Sequence, residues 1–293
     1  RDLHKEYRRQ RQMCIRDSYY LTNVILIIVI SFPIYWTLVS SIKPPNELIT
    51  STPTFFPINP TLENYDKIWN LEPTSSRGTV GSAFKNSAVV SIGTVILSAI
   101  ISTLAAYALT VLRTPFRYFI FLLMIMPILI PGISLLIPTY ILIRKLGLMN
   151  SYLGLILMHS TGMLTLGIFL MRNAFMSIPK SLREVALLEG SSELRIMFSV
   201  MLPLAIPGLL TLMVFALYGS WNDFILAFLF INSTDMEMLN IFLMKIALGG
   251  SQFDTFWGLL NAGAIISFLP IILFYIFLQQ YFVRGVTGSA VKE

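Results

Sequence analysis

The chain has little charge for its length. Of its 293 residues 12% are Asp, Glu, Lys or Arg, about half the share in a soluble domain. It has one cysteine, Cys14, which excludes an intrachain disulfide and any cysteine-based metal spacing. The two histidines, His4 and His159, are too far apart in sequence to suggest a metal site. No Gly-x-x-x-x-Gly-Lys-Ser/Thr phosphate loop occurs. The chain is therefore not expected to hydrolyse ATP by itself, and neither catalytic residues nor a cofactor are expected. The net charge of +6 comes without a basic and aromatic surface pattern, so nucleic acid is not an expected partner. What remains is apolar: 55% of the residues are hydrophobic and the mean hydropathy is +0.73.

Several apolar runs approach the roughly 20 residues that span a bilayer as a helix. Each such segment must satisfy its own backbone in lipid, so the fold class is all-α and polytopic. Six spans are expected, at about residues 19–42, 88–112, 118–137, 153–171, 204–231 and 256–282. Residues 1–18 read as a cytoplasmic tail. Residues 13–18 resemble translated adapter sequence, so neither this tail nor Cys14 is given a function. Residues 43–85 read as an external loop rich in Pro and Asn, and residues 86–282 as a core with five of the spans. Residues 138–151 and 232–255 read as external, residues 172–203 as a cytoplasmic elbow and residues 283–293 as a cytoplasmic tail. With both termini inside, the 21 Lys and Arg divide 14 inside to 7 outside, as membrane orientation demands. Without the first 18 residues the division is 8 to 7, and the elbow alone carries four of the eight.

Two breaks in the apolar pattern stand out. In the third span Pro127, Pro131 and Gly132 interrupt the helix, as a simple kink or beside a cavity. In the fifth, Trp221, Asn222 and Asp223 place a carboxylate inside a spanning segment, at about 2.5 to 3.5 kcal/mol on insertion scales. That triplet, with Asn261 in the sixth span, lines a solute pathway, serves hydrogen bonding between helices, or has its Asp223 close enough to the surface to reach water. Ser98, Ser102, Ala105, Ala106 and Ala108 allow close helix packing in the second span.

The elbow has its own grammar. Good helix formers lead up to Glu189, Gly190 is suited to a left-handed helix end, and Ser191 or Ser192 can cap a second helix that opens on Glu193. Glu184-Val185-Ala186, Gly190 after three intervening residues, and Leu202-Pro203 after the next apolar run resemble the Glu-Ala-Ala loop of ABC importer permeases. Val185 replaces an Ala of that pattern and Val200 an Ile. The Lys43-Pro-Pro loop, the Trp221-Asn-Asp string and the C-terminal tail are similar to the sugar-permease group of the maltose type.

The resemblance implies a type I importer permease in a bacterial plasma membrane, without enzymatic activity of its own. It would act with a second, heterodimeric permease subunit, two ATP-binding subunits and an external solute-binding protein that delivers a sugar, with membrane lipid around it. Glu184, Val185, Ala186, Gly190, Leu202 and Pro203 would form the surface docked on the ATP-binding subunit. Permeation of another solute, such as a peptide, amino acid or polyamine, uses the same elbow. An ion-coupled secondary transporter or a membrane-anchored scaffold are alternatives of a different class; no internal repeat favours the former.

Overall fold

The structure is a computed structural model that describes the backbone of residues 2–50, 52–74, 77–112, 114–248 and 256–290. Side chains are described from 16 to 248, from 257 to 277 and at Gln279 within those ranges. The Cys14 side chain, Arg113, residues 249–255 and the side chains of the 283–293 tail lie outside the described residues. The helices are α1 (Asp2–Ser41), α2 (Pro45–Leu48), α3 (Glu63–Trp69), α4 (Val80–Thr110), α5 (Arg117–Ile125), α6 (Leu136–Lys145) and α7 (Tyr152–Met176). They continue with α8 (Lys180–Leu188), α9 (Glu193–Ile196), α10 (Leu202–Leu204), α11 (Ile206–Trp221), α12 (Ile225–Phe230), α13 (Leu239–Leu248) and α14 (Phe256–Ala290). Among the described residues there is no strand.

Four stretches are long and apolar enough to cross a membrane: Arg16–Ser41, Val80–Thr110, Tyr152–Met176 and Trp257–Phe277. Two more candidates are bent pairs, Arg117–Leu129 with Gly132–Lys145 at 94° and Glu193–Leu204 with Ile206–Trp221 at 79°. Counting each pair as one span gives the expected six. The first bend falls at Pro127, Pro131 and Gly132, where the prolines withhold amides from the helical ladder.

Four boundaries differ from the expectation. The helix expected near Ala88 begins at Val80, because Thr79 and Ser82 form a reciprocal capping box there. Residues 138–151 are not a loop throughout, since α6 runs to Lys145 before the chain turns. The fifth span is not continuous to residue 231, because α11 ends at Trp221 and α12 starts at Ile225. The stretch expected to be external after residue 232 contains the apolar helix α13.

The chain forms two compact units, one of Arg1–Asn70 with Ile246–Ile266 and one of Leu71–Lys245 with Ser267–Glu293. In the first, the 43–70 loop is locked by buried polar side chains. Lys43 is 2% exposed, its ammonium bonds the Thr54 carbonyl and lies 5.0 Å from the Trp36 ring centroid. The Glu47 carboxylate accepts the amides of Ile58 (3.0 Å) and Asn59 (2.8 Å). Asn64 donates to the carbonyls of Ser41 (2.9 Å) and Lys43 (2.8 Å). Gly258 at the start of α14 lies so close to the Asn64 amide that a Cβ there would collide with it.

In the second unit, α4, α7 and α11 pack on one another. Small residues let them approach: Ser98, Ser102 and Ala106 are fully buried, and Gly167 leaves no room for a Cβ against Ser102 and Leu212. Asn86, 3% exposed on α4, donates to the carbonyls of Asp235 (2.8 Å) and Glu237 (2.9 Å) and accepts from the Tyr152 hydroxyl (2.8 Å). Asn86→Ala leaves three polar partners without their bond, the buried Glu237 carbonyl among them, and is expected to cost about 3 kcal/mol. A lower thermal midpoint of the detergent-solubilised protein would register this, and an unchanged midpoint would rule it out.

Candidate functional site

The elbow folds as the residues foretell. The α8 helix ends in a double hydrogen bond, with the Gly190 amide on the Leu187 carbonyl (3.0 Å) and the Ser191 amide on the Ala186 carbonyl (3.1 Å). This closure needs a left-handed residue after the helix, and Gly190 has φ +79°. Ser192 then caps α9, its hydroxyl accepting from the Arg195 amide at 3.4 Å. Beyond α9 the chain widens into one π turn over Met197–Met201, just before Pro203. A proline cannot donate to the turn before it and crowds that turn's carbonyl, so the helix widens there.

The six elbow candidates divide by environment. Glu184, Val185, Gly190 and Pro203 are exposed, while Ala186 is 8% exposed and Leu202 is half-buried. Ala186 packs with Ile178, Ile196, Met197 and Met201 onto Tyr107 of α4, Phe175 of α7 and Leu212 of α11. The inner face of the elbow is thus continuous with the cores of three spanning helices. Its outer face is apolar beyond the motif: Leu182, Val185, Leu188 and Leu194 are all exposed, Leu188 at 89%.

A polar tie, not anticipated from sequence, fastens the elbow to α4. Arg183 of α8 forms an ion pair with Glu193 of α9, and the Tyr107 hydroxyl donates to the same carboxylate at 2.9 Å. Tyr107 stands edge-on to Phe175, with ring centroids 5.6 Å apart. The hydrogen bond from Arg183, and after it the one from Tyr107, hold the Glu193 carboxyl below the usual carboxylate range against the cost of burial. A depressed carboxyl stabilises the fold above its unfolded value. The tie is therefore whole at neutral pH and is lost as pH falls through the lowered value. The ten-residue separation of Arg183 and Glu193 across Gly190 was the available signal, but nothing local pointed to Tyr107.

The second cluster centres on the break between α11 and α12. The Asp223 carboxylate accepts the amides of Leu226 (3.3 Å) and Ala227 (2.9 Å) at the opening of α12, and lies 3.7 Å from His159 Nε2 of α7. Trp221 is buried, donates from Nε1 to the Ser267 carbonyl (3.0 Å) and meets Phe84 edge-on at 5.4 Å. Asn240 bridges the carbonyls of Trp221 (3.0 Å) and Asp223 (3.2 Å). Asn222 alone of the three points outward, its amide bonded to the Tyr218 carbonyl. Asn261 belongs to the other compact unit, where its amide bonds the Trp257 carbonyl at 2.7 Å. Among the described residues no group of three or more His, Cys, Asp or Glu is placed to hold a metal ion.

Residues 96–288 match the family described as binding-protein-dependent transport system inner membrane component. The arabinooligosaccharides transport system permease protein AraQ of Halalkalibacterium halodurans is 33% identical over 264 residues, covering 89% of this chain and 91% of that one. A probable starch degradation products transport system permease protein, AmyC of Thermoanaerobacterium thermosulfurigenes, is 31% identical over 94% of this chain and 98% of that one. One chain of a bacterial ABC transporter involved in import of the acidic polysaccharide alginate superposes with a TM-score of 0.79 at 23% identity, covering 93% of this chain and 97% of that chain.

Proposed function

The chain belongs to the family of binding-protein-dependent transport system inner membrane components, and from that premise we propose that it passes a sugar or sugar derivative inward, driven by ATP hydrolysis on a separate subunit. The observation that carries the reading is the elbow. A bend fixed by a left-handed glycine presents Glu184, Val185 and Leu188 outward, while its inner face is tied to three spanning helices. A partner that grips the outer face and moves it must move α4 as well, through Glu193 and Tyr107.

In this reading two ATP-binding subunits dock on the elbows of this chain and a second permease subunit, both termini are cytoplasmic, and an external binding protein delivers the solute. Closure of the ATP-binding pair turns the elbow and opens the permease outward. Ala186 and Leu202 support the lever from within, and Glu184, Val185, Gly190 and Pro203 form its docked surface together with Leu188. Asp223 steadies the broken fifth span through its two amide bonds, and Asn222 is the member of the triplet free to face a solute. The sugar assignment draws on the arabinooligosaccharide and starch-product permeases among the relatives.

Gentle solubilisation of the chain from its native membrane, followed by mass spectrometry of co-purifying proteins, tests this. A second permease, an ATP-binding subunit and a sugar-binding protein are expected. The isolated complex in vesicles should then accumulate sugar only with ATP on the elbow side. A chain that comes down alone with Glu184 and Gly190 intact, or uptake driven by an ion gradient without ATP, would overturn the reading.

A further inference from the structure

A cavity of about 490 Å³ lies beside the elbow, where α4 ends, α5 begins and α7 passes into α8. Four cations line it, Arg117, Arg172, Lys180 and Arg183, against one carboxylate, Glu184. Arg183 is already taken by Glu193. Arg117 and Arg172 are half-buried and held by aromatic rings, 5.0 Å from the Tyr118 centroid and 4.2 Å from that of Phe121. Among the described residues, neither they nor Lys180 has a carboxylate within salt-bridge distance. Ring-held guanidinium groups keep their donors aimed without neutralising their charge, an arrangement suited to a phosphate.

The surroundings narrow the class of ligand. The cavity sits at the C-terminal ends of α4 and α7, two of the helices long and apolar enough to cross a membrane. Met176 and Tyr118 on its wall are exposed, and the apolar surface continues outward along α5 through Phe119 and Leu122. A soluble phosphate compound has no use for such a track, whereas a phospholipid places its headgroup among the cations and its acyl chains along α5. We infer that this cavity binds the headgroup of an anionic phospholipid, with Arg117 and Arg172 as its principal contacts and Lys180 at its rim. The inference rests on the membrane placement of the helices and not on the identity of the solute.

Native mass spectrometry of the purified chain, with the subunits that accompany it, tests the site with phosphatidylglycerol, phosphatidylcholine and glycerol 3-phosphate as probes. Phosphatidylglycerol is expected to be retained preferentially over phosphatidylcholine. The Arg117→Gln/Arg172→Gln double variant should bind it about thirtyfold more weakly, the combined effect of two such cations at a membrane surface. Arg117→Lys/Arg172→Lys, which keeps the charge, should retain the preference, and the thermal midpoint of each variant reports whether it is folded. Equal retention of the two lipids by the wild type, or an undiminished preference in a folded Gln variant, would overturn the inference. Displacement of phosphatidylglycerol by equimolar glycerol 3-phosphate would assign the cavity to a soluble ligand instead and equally overturn it. Sugar uptake can survive any of these results, so failure here is separable from failure of the transport reading.

Discussion

Gly190→Asp is expected to leave the chain inserted and assembled while ATP hydrolysis proceeds without uptake. The substitution meets no obstruction, since nothing lies within 4 Å of where its Cβ would stand. Its effect comes from the backbone and from the charge it adds to the exposed face of the elbow. At φ +79° an L-residue loses about 1–2 kcal/mol relative to a right-handed conformation, a factor of roughly 5 to 30 in favour of elbows bent at another angle. The inner face, held by Ala186, Ile196 and Met197, remains attached to the spanning helices, so folding survives while the outer face is re-aimed. Asn and Asp tolerate the left-handed region better than other L-residues and a β-branched side chain worst, so Gly190→Asn should be mild, Gly190→Asp should exceed it through the negative charge it adds to the exposed face, and Gly190→Val should be the most strained of the three. Reconstituted vesicles assayed for both hydrolysis and uptake give the answer. Normal coupled uptake by the Asp and Val variants would end the lever account.

Asp223→Ala is expected to reduce uptake at least tenfold with insertion little changed. The carboxylate serves two amides at the start of α12 and stands beside His159. Removing it leaves those amides open at a cost of about 1–3 kcal/mol each, and the break between α11 and α12 loses one of the contacts that brace it, leaving the Asn240 bonds. Asp223→Asn keeps one acceptor oxygen and should fall between the two. The amount of membrane-inserted protein, measured beside the uptake rate, separates the possibilities. If both fall together in Asp223→Ala, the residue is a helix cap and nothing more.

The parts legible in the sequence are those governed by neighbours along the chain. Gly190 ended its helix, Ser192 capped the next, and Pro127, Pro131 and Gly132 bent the third span, because each acts within one turn of itself. Polar residues were harder to place. Asn86 and Ser87 read as the lead-in to a span, yet they are buried well inside α4 and hold the 235–239 segment. Asp223 read as a charge inside a helix, whereas the chain breaks there and the carboxylate caps the continuation. In both cases hydropathy registers a polar group and is blind to the distant partner that satisfies it. The same holds for Tyr107, an unremarked aromatic in an apolar run whose hydroxyl completes the tie to Glu193.

The first compact unit is assembled from two segments far apart in the chain, Arg1–Asn70 and Ile246–Ile266, and this sets a timetable for its birth. The bonds of Lys43, Glu47 and Asn64 join residues close in sequence, so this loop can close soon after it leaves the ribosome. Gly258, against which Asn64 packs, is made only after the whole second unit up to Lys245. At 5–20 residues per second that interval is roughly 10 to 35 s. The early loop must hold its shape alone for that long, and its buried lysine, clamped glutamate and paired asparagine give it local bonds that need nothing from the later chain.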